Sequence, residues 1–553
     1  MRSFRLTRPP RLTRRHWLRL AGGVATGAAL GTMSAPVALA AAPVSAPAPI
    51  PVPNQWPATG AASAARSALA QGDGILRTAD SFGAPSLDPI NAVTSYTIQY
   101  GMGEALVRIT PQGGIEPWLA ESVTPVDPLR WRVHLRSGIT FWNGRPLDAD
   151  AVRSATLRIV EKRKATAALL NLADVEVIDS LTLDLITRAP NGALLASLGG
   201  FNLIIHDADE AIRMGDEAFG NAPVLTGPMI PTEFRPREFV AARRNEGYWQ
   251  GVPGLMGLAA RTVSDGNARL AAVLAGDVDL GRQIPVQGIT QAQAAGLTVA
   301  SGDEQAMNEI YFNCQAPPFD EVAVRQAVSL AINRDALVQN VVEGSGVVAT
   351  SVYPRFLPFA DPNPLPYDPA QAGALLDGIG WTLGSDDVRA RSGQPLAFEL
   401  LTYPQRPELG LLATVIQAEL GQIGMSVSIR NVEQITPIVT NREYVATMYR
   451  LGTAPTADPG FILNNVYASG GVDNGQLGYQ SAELDAVTMR LNTTTDPDQR
   501  TLVALEAQAI LRRDMPAAPL LSPKLHIAYS SRLQGFAFHP FDYYSITHLL
   551  SLR

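Results

Sequence analysis

Cysteine is almost missing from this chain: Cys314 is the only one in 553 residues. One thiol cannot close an intramolecular disulfide, and it excludes zinc or cluster sites built from several cysteines. Histidine is nearly as scarce. His134, His206, His526, His539 and His548 are the five beyond the N-terminal segment, and no two stand three or four residues apart. A preformed helical metal cage is therefore not expected, nor is any resident cofactor. The chain also lacks an H-E-x-x-H pair, a G-x-S-x-G elbow, a Walker loop and a C-x-x-C motif. Catalytic triads can assemble from distant positions, but these absences weigh toward binding rather than catalysis. Charged residues make up only 17% of the chain. Acidic ones are missing altogether from residues 1–42, which hold seven arginines. The remainder has 37 basic against 51 acidic side chains, a net of −14. A body of that sign repels nucleic acid and anionic lipid, so neither is an expected partner.

What stands at the N-terminus explains the asymmetry. Thr13-Arg14-Arg15-His16-Trp17-Leu18 sets two arginines before an aromatic and a leucine, and Ala21–Ala42 follows as an uncharged Ala/Gly-rich stretch. Basic region, soft apolar stretch and the small-residue exit Ala38-Leu39-Ala40 read as a twin-arginine-type export signal over residues 1–40. No cysteine follows it, so a lipid anchor is not expected and the mature protein should be free in the periplasm. Residues 41–70, dominated by Pro, Ala and Ser, read as a solvated linker.

The remaining length exceeds one compact core, and its periodicity switches between two and about 3.6, the mark of mixed α and β structure. Trp131–Arg136 alternates apolar and polar residues as a half-buried strand. Asp148 is placed to cap a helix bearing Val152, Ala155, Ile159 and Val160 on one stripe. Val324, Ala327, Val328 and Ala331 predict a second helix, interrupted at Asn333-Arg334-Asp335. Leu409, Leu412, Ile416 and Leu420 predict a third, with Gly424 in the left-handed position past its end and a strand through Met425, Val427 and Ile429. Gly276–Leu280 reads as a short buried strand, and Asp207, Asp209 and Glu210 as a solvated turn.

Four segments together carry a family resemblance. The first is Leu135-Arg136, Gly138, Phe141, Gly144, Pro146, Ala149 and Val152 in that spacing. Next come Gly227-Pro228 with Arg244-Asn245 and Tyr248-Trp249. Asn313, Pro317-Pro318-Phe319, Val324-Arg325-Gln326-Ala327 and Ala331-Ile332-Asn333-Arg334 form the third, and Tyr367-Asp368-Pro369, Leu375-Leu376 and Gly380-Trp381 the fourth. In this order they resemble the extracytoplasmic solute-binding proteins of peptide and nickel ABC importers, bacterial family 5. Gly421-Gln422-Ile423-Gly424 and the stretch from Trp381 to Leu396 look closest to its nickel branch.

The resemblance implies an α/β fold of the periplasmic-binding-protein type II kind, two lobes about a hinge in three interleaved mixed domains. Domain I would comprise 71–110, 225–305 and 508–553, domain II 111–224, and domain III 306–507. Its implied role is capture of a peptide-like solute or a metal chelate in the cleft for an ABC permease and ATPase, as a monomer without catalysis. The nickel branch's histidine falls on Tyr449 or Arg450, and its two carboxylate-gripping arginines fall near Thr166 and Gly200, with Arg163 and Lys164 close by. The peptide branch's amine-binding aspartate falls on Pro455, and Asp458 reads as a turn former. No direct metal ligand is expected. The resemblance instead implies a cleft of Tyr96, Tyr100, Tyr403, Arg406, Tyr449 and Arg450, flat faces with hydrogen-bonding tips beside carboxylate-binding guanidiniums. An exported hydrolase on the same scaffold, and a sensor or chaperone without transport, are the rival readings.

Overall fold

A computed structural model describes residues 74–91, 95–200, 203–471 and 473–553. The signal and linker readings over 1–70 lie outside the described residues. Two sheets organise the rest. The larger has twelve strands, running from Ser426–Asn431 through Ala397–Thr402, Ala446–Gly452, Ala306–Phe312, Ala517–Tyr529, Leu280–Gly281, Ile75–Asp80, Gly257–Thr262 and Phe239–Arg244 to Met229–Arg235. Thr298–Asp303 and Gly346–Val348 also pair with Ala517–Tyr529. The smaller is an antiparallel sheet of Ala120–Asp127, Arg130–Leu135, Thr182–Thr187 and Leu172–Asp179.

Ala517–Tyr529 is the long central strand. Its first half pairs with Ala306–Phe312 and its second half with Thr298–Asp303, so two halves of the sheet share one continuous backbone. Glu304 and Gln305 cross between the two partners, and the Glu304 N–H donates to the Pro523 carbonyl at 3.2 Å. Pro519 has no N–H to give the ladder, and the register beside it shifts between Asn308 and Glu309.

The smaller sheet carries its own apolar core. Trp131, Val133 and Leu135 pack with Val152, Ala155, Ile159, Val175, Leu183 and Leu185, while Arg132 stays outside and His134 half outside. The alternation read in the sequence is thus the two faces of a real strand. The helix Ala149–Lys162 lays its apolar stripe on this sheet, and Asp148 caps it by accepting from Ala151 N at 2.8 Å. Replacing Asp148 with alanine should cost about 1 kcal/mol, read as a lower midpoint in denaturant titration. The helices Val322–Ala331 and Pro407–Gln422 form over the predicted stripes. Asn333 caps the turn after the first, and Gly424 takes φ +83° after the second.

Two local readings need correction. Gly276–Asp279 is a turn rather than strand: Gly276 has φ +75°, and only Leu280–Gly281 pairs. Asp279 is buried there because it accepts from the backbone N and guanidinium of Arg77. Asp207 is not solvated either. It is 2% exposed, caps the helix Ala208–Met214, and is held by Asn143 and Arg145. Position-by-position polarity could not show that a distant arginine covers it.

Candidate functional site

Tyr96 and Tyr100 open and follow one short helical turn, Tyr96–Gln99, which puts their rings on the same side, stacked 5.8 Å apart. Both are buried. The Tyr100 hydroxyl donates to Asp80 at 3.2 Å, at the end of Ile75–Asp80. Asp80 in turn lies 3.3 Å from Nε of Arg282, whose guanidinium also pairs with Asp542 and donates to Ser545 Oγ at 2.8 Å. Burial pushes the Asp80 carboxyl up even though Arg282 draws it down, and burial pushes the Arg282 guanidinium down in the same way. The phenols of Tyr96 and Tyr100 are raised by burial first and by Asp80 second.

The other four predicted residues gather on the twelve-stranded sheet beyond the crossing. Tyr403 and Arg406 follow Ala397–Thr402, and Tyr449 and Arg450 lie on the neighbouring strand Ala446–Gly452. The Tyr403 hydroxyl accepts from Arg450 N at 3.2 Å, and its ring lies 6.3 Å from that of Tyr449. Tyr449 tilts against Tyr311 at 4.9 Å. Arg450 is taken up by two carboxylates, Glu304 at the crossing and Glu408 at 3.1 Å. Burial pushes the Tyr403 phenol up to about 12, although Arg406 and Arg450 draw it down.

Arg406 differs from Arg450. Its guanidinium makes no hydrogen bond or ion pair among the described residues, although it is more than half buried. It is also the N-cap of the helix Pro407–Gln422, where no side chain caps the first turn. A helix N-terminus already carries partial positive charge, and the carboxylates near Arg406, Glu304 and first-turn Glu408, are the two that pair with Arg450. Burial and then Arg450 hold the Arg406 guanidinium below its ordinary value.

The C-terminal segment Pro540–Ser545 touches the first group and reaches the crossing beside the second. Asp542 holds Arg282 and accepts from Gln99 Nε2 at 2.8 Å, Tyr543 donates to the Pro455 carbonyl at 2.8 Å, and Gln305 N donates to Pro540. Sequence reasoning missed Asp80, Arg282, Glu304, Glu408 and Asp542, because no local spacing marks residues that meet only through the fold. Of the carried-over positions, Arg163 donates to the carbonyls of Pro89 and Ile90, Lys164 is exposed, and Thr166 and Gly200 are buried. Asp458 accepts from Gly460 N at 2.7 Å, as a turn former does, and pairs with Arg500.

Comparison with known proteins decides the family. The model of the bacterial extracellular solute-binding proteins, family 5 (its middle region), matches residues 114–474, well over half of the chain. The chain belongs to that family. It is a solute-binding protein of the kind that serves ABC importers, with the two-lobed type II periplasmic-binding-protein fold. Among its family 5 relatives, the glutathione-binding protein GsiB of Salmonella paratyphi A is 28% identical over 501 residues, covering 86% of this chain and 94% of that one. A nickel ABC transporter protein from Bacillus halodurans is 29% identical, with a TM-score of 0.73 over 86% of this chain and 99% of that one. The oligopeptide-binding protein AppA of Bacillus subtilis, in complex with a nonapeptide, shares the fold at 20% identity. Its TM-score is 0.72 over 86% of this chain and 98% of that one. Family 5 solute-binding proteins are periplasmic or extracellular and bind small solutes.

Proposed function

We propose that this chain captures a small, carboxylate-bearing, peptide-like solute between its lobes and delivers it to an ABC permease. The observation that carries this reading is the unpaired Arg406 at the uncapped start of Pro407–Gln422. A carboxylate there meets a two-pronged cation and the positive end of the helix together. Tyr96, Tyr403 and Tyr449 supply flat faces along the solute. Tyr100 and Arg450 act as positioning residues, the first through Asp80 and the second through Glu304 and Glu408. The glutathione-binding and nickel-transport relatives support a solute of this class, since a carboxylate-rich chelate offers the same group to Arg406. No metal ligand is assigned, and no bond is made or broken.

The lobes follow the three-domain partition, with 71–110, 225–305 and 508–553 as domain I, 111–224 as domain II and 306–507 as domain III. A twin-arginine signal over 1–40 would bring the folded monomer to the periplasm. Arg406→Ala should weaken binding about 10- to 100-fold, the worth of one charge-assisted hydrogen-bond pair. Titration calorimetry with glutathione, tripeptides and nickel–histidine measures it. Unchanged affinity for the solute that binds the wild-type protein would reject the assignment of Arg406. Saturating solute at 100 times its Kd should stabilise the protein by about 2.7 kcal/mol, and turnover of an ester or amide reporter would instead favour a hydrolase.

A further inference from the structure

The domain of the smaller sheet also touches the helices that pack on the larger sheet's core. Gly192 lies in the loop after Thr182–Thr187 of the smaller sheet, and its N–H donates to the Asn492 carbonyl at 2.8 Å. Asn492 belongs to the helix Ala482–Thr493, which packs on the core of the larger sheet. We propose that Gly192 is a latch: a backbone contact that holds the lobes closed over the solute, and so a positioning residue for capture. The inference rests on the two-lobed reading but not on the identity of the solute.

Both halves of the contact are rigid before they meet. On one side, Asn191 donates to the carbonyls of Leu169 and Leu170 and accepts from Ala193 N, which fixes the loop on its own domain. On the other, Asn492 and Asn464 exchange side-chain amide hydrogen bonds, each 2.8 Å long. Arg500 donates to the carbonyls of Leu491 and Thr494 and is anchored by Asp458. The helix end is thereby gathered into a fixed carbonyl surface. Asn492 O is the acceptor at this surface, and Gly192 supplies the donor.

Only glycine fits. A Cβ at position 192 would overlap the Thr494 carbonyl oxygen and Arg500 Nη1, and its separation from the Thr494 carbonyl carbon would be 2.9 Å. Backbone and a clamped guanidinium cannot yield as a free side-chain tip can, so any side chain separates the surfaces. The Asp458-Pro459 turn gains a role here that its sequence did not reveal. Through Arg500 it shapes the landing surface for the opposite lobe.

Hydrogen-exchange mass spectrometry of the full mature protein tests the latch directly, without solute. Peptides spanning residues 188–195 and 490–500 should exchange at least tenfold faster in Gly192→Val than in wild type, while peptides from the core of each sheet stay unchanged. Gly410→Ala, at a helical position where a Cβ meets nothing within 4 Å, is the control and should match wild type. Equal exchange in Gly192→Val and wild type overturns the latch. Adding glutathione, a tripeptide or nickel–histidine should slow the same peptides further in wild type and less in Gly192→Val. If none of these probes slows wild type, the solute proposal fails while the solute-free comparison still decides the latch.

Discussion

Arg282→Ala is expected to lower stability by about 3–5 kcal/mol, measured by denaturant titration of the mature protein. Arg282 is 4% exposed and stands between two carboxylates, Asp80 and Asp542, with Ser545 accepting a further hydrogen bond. Removing it strands Asp80, which is 3% exposed, with Thr78 and Tyr100 the side-chain donors left to it among the described residues. The pair is not a net source of stability. Burial raises the Asp80 carboxyl and lowers the Arg282 guanidinium, so in both partners desolvation exceeds their attraction. The large loss therefore comes from leaving one charge alone. A double variant, Asp80→Asn with Arg282→Met, should recover more than half of the loss. If Arg282→Ala and the double variant are equally unstable, the two residues act independently and the argument from desolvation falls.

This triad also marks where reading the sequence stops. The strand Trp131–Arg136 and the helix stripes of Val152, Val324 and Leu409 were legible because each is a local period imposed by one buried face. The family segments were legible because their spacing carries turns and caps, such as Asp148 on Ala151 and Gly424 past its helix. Asp80, Arg282 and Asp542 come from three remote segments and have no period. Arg450 read as a free guanidinium for a ligand, yet Glu304, 146 residues earlier in the chain, claims it. Arg406, three residues after Tyr403, makes no side-chain hydrogen bond or ion pair among the described residues, although Glu304 and Glu408 lie near enough to act on its charge. Ala306–Phe312 is buried on both faces, so neither an alternating pattern nor polarity could rank Glu309 as unusual.

Glu309→Gln should flatten the pH dependence of stability between about pH 5 and 8 and leave the variant more stable than wild type at pH 8. Glu309 is fully buried, and neither carboxylate oxygen has a hydrogen-bond partner among the described residues. Tyr449 stands directly opposite it on Ala446–Gly452, and the hydroxyls of Tyr311 and Tyr467, likewise without partners, belong to the same buried group. No cation among the described residues acts on it, and burial pushes its carboxyl up to about 8 from an ordinary 4.5. The folded protein thus holds a proton that the unfolded chain releases above its ordinary value. Stability from that proton is complete below about pH 4.5 and is lost as pH rises through 8. At about 1.4 kcal/mol per unit, the loss from pH 5 to 8 is on the order of 3–4 kcal/mol. His206 and His539, both lowered to about 4 by burial, work in the opposite sense, losing stability as pH falls from 6.5 toward 4. Subtracting the Glu309→Gln curve from the wild-type curve cancels them, because the substitution leaves both histidines in place. A difference that stays constant from pH 5 to 8 would mean that Glu309 is ionised in the folded protein, and a donor to its carboxylate would then have to be found.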